Sequence, residues 1–326
     1  MLNAVYANAR AKANENYLLG YDRLLRIIDC PTISDAFKVL SEVNFGGGIT
    51  LSAPNEFEKL LTAERQSLTD FIKTNCPNEY LINYFLYPLD FHNAESLLRA
   101  KHLKIGAEDM LGAEGVFSID YLKDKIFADE YRDFPKWLKN ALIEGDAKFV
   151  SGNTSGAEIN LIFKKALYQA LLEECKKDKT LFEIFRAKID FINISVALRL
   201  RNYQLAKESF LEGGLINISD LKMLCEENLD SLKQKCIFLE HKDFILSAIN
   251  QKSQSTPLSD FEKEVDGFEL SILKKNRYNT GGLYPFMLYC QYKLAEINNV
   301  RIILVGLQNG IEKDQIKRRL RNTYEG

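Results

Sequence analysis

The sequence predicts an all-α fold of three related helical modules closed around a central hole, and three observations carry that expectation. Apolar residues recur at helical spacing over long stretches, whereas strand-like alternation is brief and confined to places such as 115–119 and 214–218. One helix is written twice: LDFHNAESLLRAK, Leu89 to Lys101, returns as IDFINISVALRLR, Ile189 to Arg201, and a fainter copy lies in AEINNVRIIL, Ala295 to Leu304. The last copy lacks the later helices that follow the first two, and the first 50 residues have no module of their own. The expected division is therefore 51–152, 153–254, and 255–326 completed by 1–50.

The repeated helix carries its own pattern of charge. Asp90 answers to Asp190, Asn93 to Asn193, Arg99 to Arg199 and Lys101 to Arg201, each 100 residues later. The likeness continues into the following loop, where Gly115 answers to Gly214 and SIDYL to NISDL. In the third copy Glu296 and Asn299 keep the same interval, with Arg301 beyond them and Val305 in place of the arginine. At about 100° per residue, Asp90, Asn93 and Lys101 share one side of the helix and Arg99 lies opposite Asp90. Three such helices around an axis would set the carboxylate edge of one against the arginine edge of the next, a repeated and partly buried polar contact between modules. The competing reading is three ordinary amphipathic helices with their charges in water.

Taken in order, the chain opens with a helical pattern from Asn3 to about Ile28, stopped by Pro31. Thr32 or Ser34 caps a second helix, Asp35 to Val43, and Gly46, Gly47 and Gly48 form a loop that needs φ > 0. No strand precedes those glycines and no GK[ST] follows them, so they are not read as a phosphate cradle. A long helix, about Asn55 to Asn75, breaks at Cys76-Pro77 before the Asp90 helix. After the loop Gly106 to Gly115, Asp120 is expected to cap a helix through Lys125, and Pro135 to Ile143 carries Trp137, the only tryptophan, as a packing anchor.

SGNTSG, Ser151 to Gly156, reads as a linker into a second long helix, Ala157 to Lys177, followed by the Asp190 helix. Further helices are expected within Ser219 to Leu232 and Glu240 to Asn250, and QKSQSTPLSD, Gln251 to Asp260, is a second linker. Phe261 to Asn276 then opens the third module. Pro285 suits the first turn of a long helix, Tyr284 to Val305, that stops at Gly306, and a basic helix, Lys313 to Arg321, follows.

Composition excludes several classes of function. Among 326 residues, 46% are hydrophobic and 27% charged, enough for a substantial core. With 43 basic against 45 acidic residues the net charge is −2, which announces neither a nucleic-acid nor an anionic-membrane binder. Six scattered cysteines without CxxC spacing read as reduced, buried thiols. The opening residues lack the apolar stretch of a signal peptide and no run of about 18 apolar residues occurs, so a cytoplasmic chain without a membrane span is expected. His92, His102 and His241 have no metal-ligand spacing, and GxSxG, HExxH, GxGxxG and Walker patterns are missing. Asp90 and Asp190 sit with an amide and cations on their own helices, which fits repeat architecture better than catalysis. No catalytic residue, cofactor or metal ligand is assigned. Lys317, Arg318, Arg319 and Arg321 are read as cations opposing a helix dipole or as a contact surface for an acidic partner.

The stretch Pro285 to Leu320 carries a resemblance through Pro285, Phe286, Tyr289, Lys293, Glu296, Asn299, Arg301, Gly306, Gly310 and Ile311. It resembles the C-terminal signature of the C subunit of bacterial and archaeal V/A-type ATP synthases, the counterpart of the eukaryotic V-ATPase d subunit. The Asp90 and Asp190 helices and the stretch Tyr6 to Arg26 are similar to that family too. The resemblance implies a funnel of three helical modules with pseudo-threefold symmetry and no catalytic site, present as one copy on the cytoplasmic face of the cell membrane. It further implies partners, the proteolipid ring below and the central shaft formed by the D and F subunits above, in ATP-linked proton or sodium transport. A helical-repeat scaffold for an unrelated protein, with its ends far apart, is the alternative.

Overall fold

A computed structural model describes residues 3–49, 53, 56–152, 154–226, 229–236, 239, 242, 243, 246, 258–279 and 281–324. All regular structure among the described residues is helical, as expected. The chain divides into two compact units, Met1–Glu79 with Asp266–Gly326, and Tyr80–Val265.

The first unit is built from both ends of the chain. Its N-terminal part comprises α1 (Ala4–Glu15), α2 (Gly20–Asp29), α3 (Ile33–Glu42) and α4 (Phe57–Asn75). The single opening helix expected over 3–28 is broken into two, because Gly20 takes φ +66 and the chain turns before it. Thr32 caps α3 by accepting a hydrogen bond from the Asp35 amide at 3.1 Å. Gly46, Gly47 and Gly48 all have positive φ, and a Cβ on Gly46 would lie 2.2 Å from Leu60 Cδ1. The loop therefore needs glycine at that position for conformation and for space.

The second unit begins with α5 (Glu79–Leu103), followed by α6 (Ile119–Phe127) and α7 (Lys136–Val150). Ser118, not Asp120, caps α6, accepting from the Tyr121 amide at 3.2 Å. Across the first linker α8 (Gly156–Cys175) starts on a capping box between Ser155 and Glu158, and it packs on both α7 and α9 (Lys179–Leu200). Short helices α10 (Tyr203–Ala206), α11 (Leu221–Cys225) and α12 (Leu229–Cys236) follow. The helix expected over 240–250 and most of the linker 251–260 lie outside the described residues, as does His241.

The chain resumes in α13 (Leu258–Lys275) and then α14 (Tyr284–Gln308), which starts with Pro285 in its first turn. This last long helix does not stop at Gly306. It runs through it, because the glycine admits the final helix, α15 (Lys313–Arg319): a Cβ at 306 would sit 2.6 Å from Ile316 Cδ1. Helix α14 packs against α1, α2, α3 and α4 around a core of Leu24, Ile27, Leu40, Leu61, Val300 and Ile303. Residues from the two chain ends thus share one interior. Phe71 on α4 stacks on Phe286 at 5.6 Å and meets Tyr289 edge-on at 5.0 Å.

Phe286 is fully buried and joins α14 to α4. Replacing it with alanine is expected to cost about 3–5 kcal/mol, read as a lowered urea midpoint of the transition that exposes the N-terminal helices.

Candidate functional site

The repeated helix positions do one job in common: they hold the loop that follows. On α5, Asp90 and Asn93 are completely buried, which their types permit only with full hydrogen bonding. The Asp90 carboxylate accepts from the amides of Val116 at 2.9 Å and Phe117 at 3.1 Å. Asn93 accepts from the Gly112 amide at 2.8 Å and donates to the Ala113 carbonyl at 2.9 Å. On α9, Asp190 accepts from Leu215 at 2.8 Å and Ile216 at 3.0 Å, while Asn193 both accepts from and donates to the backbone of Leu211 at 2.8 Å. The glycine shared by the two loops now has a reason. A Cβ on Gly115 would lie 2.3 Å from Asp90 Oδ1, and one on Gly214 would lie 2.1 Å from Asp190 Oδ1.

The third copy keeps half of this device. Asn299 on α14 accepts from the Arg321 amide at 2.7 Å and donates to its carbonyl at 3.2 Å, so the clamped segment is the chain after α15. Glu296 reaches instead to the Leu19 amide at 2.5 Å, between α1 and α2. It also accepts from Lys293 at 2.5 Å, and Lys293 pairs in addition with Glu64 of α4. Glu64 in turn accepts from the Gly46 amide at 2.5 Å. Burial pulls the Lys293 ammonium down, yet the two carboxylates outweigh it and hold it above its ordinary range. Burial pushes Glu296 up against the opposing pull of Lys293. One buried lysine and two carboxylates thereby tie α14 to α4, to the triple-glycine loop and to the turn before α2.

The remaining charges of the pattern diverge. The sequence sets aspartate edges against arginine edges of neighbouring modules; the partners described for Asp90 and Asp190 are backbone amides of their own loops. Arg99 bonds Glu95 at 2.5 Å and the Gly156 carbonyl at 2.7 Å, at the start of α8. Arg301 meets Glu58 at 2.6 Å, in the first turn of α4. Lys101 belongs to a half-buried cluster with Asp129, Tyr131 and Asp146. Arg201 does not share that role: it ends α9 in a left-handed conformation, φ +48, with its side chain exposed. Arg199 lies at the exposed end of α9, beside Lys164.

Some of these partners were not read from the sequence. Arg186, one turn before Asp190, donates to the carbonyls of Gly213 at 3.1 Å and Gly214 at 2.9 Å, adding a cation to the second clamp. His102, which has no metal-ligand spacing in the sequence, hydrogen-bonds Asp146 at 2.7 Å and stacks on Phe149. His92 is exposed. Trp137 is half-buried and lines a groove between α7 and α8. Among the described residues no group of three metal-ligating side chains assembles, and no helix is long and apolar enough to cross a membrane.

Chemically, the aspartates are occupied. Both oxygens of each accept amide hydrogens, and neither side chain reaches solvent. Burial pushes the Asp190 carboxyl up to about 7, against the lowering pull of the Ile216 and Leu215 amides and Arg186. In the folded protein Asp190 therefore holds its proton at pH values where the unfolded chain, at about 3.9, has lost it.

Three outcomes follow for stability. Asn93→Ala, Asn193→Ala and Asn299→Ala each leave a loop amide unsatisfied and are expected to cost about 1–3 kcal/mol. Gly115→Ala and Gly214→Ala, which crowd the carboxylates, are expected to cost about 1–3 kcal/mol by overpacking; denaturant melts read all five. The stability contributed by Asp190 is complete below the ordinary carboxylate range and is lost as pH rises through about 7. Asp190→Asn should flatten the fall in urea midpoint between about pH 4 and about pH 7; an unchanged slope would assign the fall to other groups.

The comparisons with known proteins agree with one another. The family model described as ATP synthase (C/AC39) subunit matches residues 7–319. The C subunit of the V-type sodium ATPase of Enterococcus hirae is 21% identical over 324 residues, covering 98% of both chains. The C subunit of the A-type ATP synthase of Methanosarcina acetivorans is 24% identical over 349 residues, covering 98% of this chain and 92% of that one. Its counterpart in Halobacterium salinarum is 29% identical over 143 residues, 42% of this chain and 40% of its own. The match to the family model takes in all three copies of the clamp helix, and the chain belongs to the ATP synthase (C/AC39) subunit family.

Proposed function

We propose that this chain is a non-catalytic rotor subunit of a V/A-type ATPase or ATP synthase, a socket that couples the central D/F shaft to the proteolipid ring during ATP-linked proton or sodium transport. The observation that carries the reading is the family match over residues 7–319, supported by full-length likeness to proteins named for V-type and A-type enzymes. In this reading the protein sits peripherally on the cytoplasmic face of the membrane, in one copy per complex, and its three modules surround a cavity that receives the shaft.

The physical demands of that task favour such a chain. A ring of many identical subunits must be joined to one asymmetric shaft, which calls for a broad collar, not a second ring of matching symmetry. Torque is passed on only by a body that does not yield, and buried polar clamps fix connecting loops that would otherwise hinge. Two contacts between proposed modules support closure. Arg99 reaches from the first motif helix to the start of α8, and Arg301 reaches from the third to the first turn of α4. The alternative, an open helical scaffold, expects the chain ends to stand apart, whereas α1 packs on α14 and Lys313 donates to the Asp29 carbonyl at 2.8 Å.

Affinity purification of the tagged chain from native membranes tests the reading. Proteolipid and the D and F subunits are expected to come with it in mild detergent. Recovery of the chain with none of them, from membranes that hold an assembled ATPase, would contradict it.

A further inference from the structure

Helix α4 carries a half-buried arginine that the chain itself leaves without an acceptor. Arg65 makes no hydrogen bond or ion pair among the described residues, and the one titratable group that acts on it is the Cys290 thiol of α14. No carboxylate pulls on it. Glu64, the preceding residue, is committed to Lys293 and the Gly46 amide, and Asp70 accepts from Gln66 at 2.9 Å. Other arginines of this unit find acceptors: Arg26 meets Glu42 at 3.3 Å, and Arg301, along the same pair of helices, meets Glu58 at 2.6 Å. One turn beyond Arg65 on the same side of α4, Thr69 is fully buried with an unpartnered hydroxyl.

The setting of Arg65 is a recess. Its nitrogens are not among the enclosed unpartnered atoms, so each keeps some solvent, yet burial brings the guanidinium down to about 10. A convex surface desolvates an arginine far less. A half-desolvated guanidinium without an acceptor is unfavourable while the chain stands alone, and it becomes favourable once a partner supplies a planar carboxylate to its fork. The charge selects the group. One cation with no second acting beside it matches the single negative charge of an aspartate or glutamate better than the roughly two charges of a phosphate. The counterpart one hundred residues on differs in this respect: Lys165 is also half-buried, but it shares its groove with Glu144, Glu158 and Glu208.

We infer that Arg65 is an interface anchor, receiving an aspartate or glutamate carboxylate from a polypeptide that inserts against α4 and α14. On the rotor reading, on which this inference rests, that polypeptide is the end of the D/F shaft.

Calorimetric titration of the purified D/F complex into the full chain is the test. The parent is expected to bind, and Arg65→Met and Arg65→Gln should each weaken binding about tenfold or more. The parent's affinity should also fall more steeply with salt than that of either variant, which a purely structural role for Arg65 would not produce. In thermal melts of the free chain both variants are expected to melt no lower than the parent, since the guanidinium has no partner to lose. A lower melt for both assigns Arg65 a structural role and overturns the anchor. A parent that binds, with variants that match its affinity or its salt dependence, overturns the anchor and leaves the rotor reading standing. A parent that does not bind contradicts the rotor reading, and the anchor with it.

Discussion

A buried backbone amide needs a partner, and in this protein helix side chains supply it to the loops. Where the chain leaves α5 and α9 and folds back over them, Val116, Phe117, Leu215 and Ile216 point their amides at a buried aspartate. Everything local then follows from that demand. The asparagine one turn on fixes a second point of the loop, and the loop glycine is forced by the closeness of the carboxylate. The brief alternation at 115–119 and 214–218 reads as β in the sequence, yet the described backbone there is bends and turns leading out of the loop.

The unit that joins the chain ends uses the same principle with different atoms. On α14 glutamate stands in place of aspartate, and a lysine joins it. Glu296 and Glu64 each keep one oxygen on a backbone amide and share Lys293 between them. A buried ion pair contributes little unless its remaining valences are filled. Here both carboxylates are filled, so the triad specifies how α4, α14 and the turn before α2 meet, beyond any net stability it adds. For a protein proposed to transmit torque, that specification of geometry matters more than the energy.

Much of this was legible in the sequence, for a physical reason. Buried Asp, Asn and Gly are tolerated only in one geometry, so a repeat of all three at matched spacing marks a shared local structure even when the intervening residues differ. Helical periodicity likewise placed the long helices, and Pro285 marked the first turn of α14. Periodicity names a face, however, and not the group that meets it. The amides that face Asp90 and Asp190 come from residues whose side chains carry no signal, and Arg99 spends its charge on Glu95 and a carbonyl. Glycine is ambiguous in the same way. At 20 it breaks a helix through its backbone, and at 306 it lies within one because Ile316 needs the room. His102 gave no spacing signal, since Asp146 lies 44 residues away in the chain and only the fold brings them together.

Amide hydrogen exchange at single-residue resolution tests the clamp most directly. The amides of Val116, Phe117, Leu215, Ile216 and Arg321 lie outside regular structure, yet their buried acceptors require them to exchange as slowly as the cores of α5, α9 and α14. Exchange of these five at the rate of exposed loop amides, while the helices stay protected, would contradict the account.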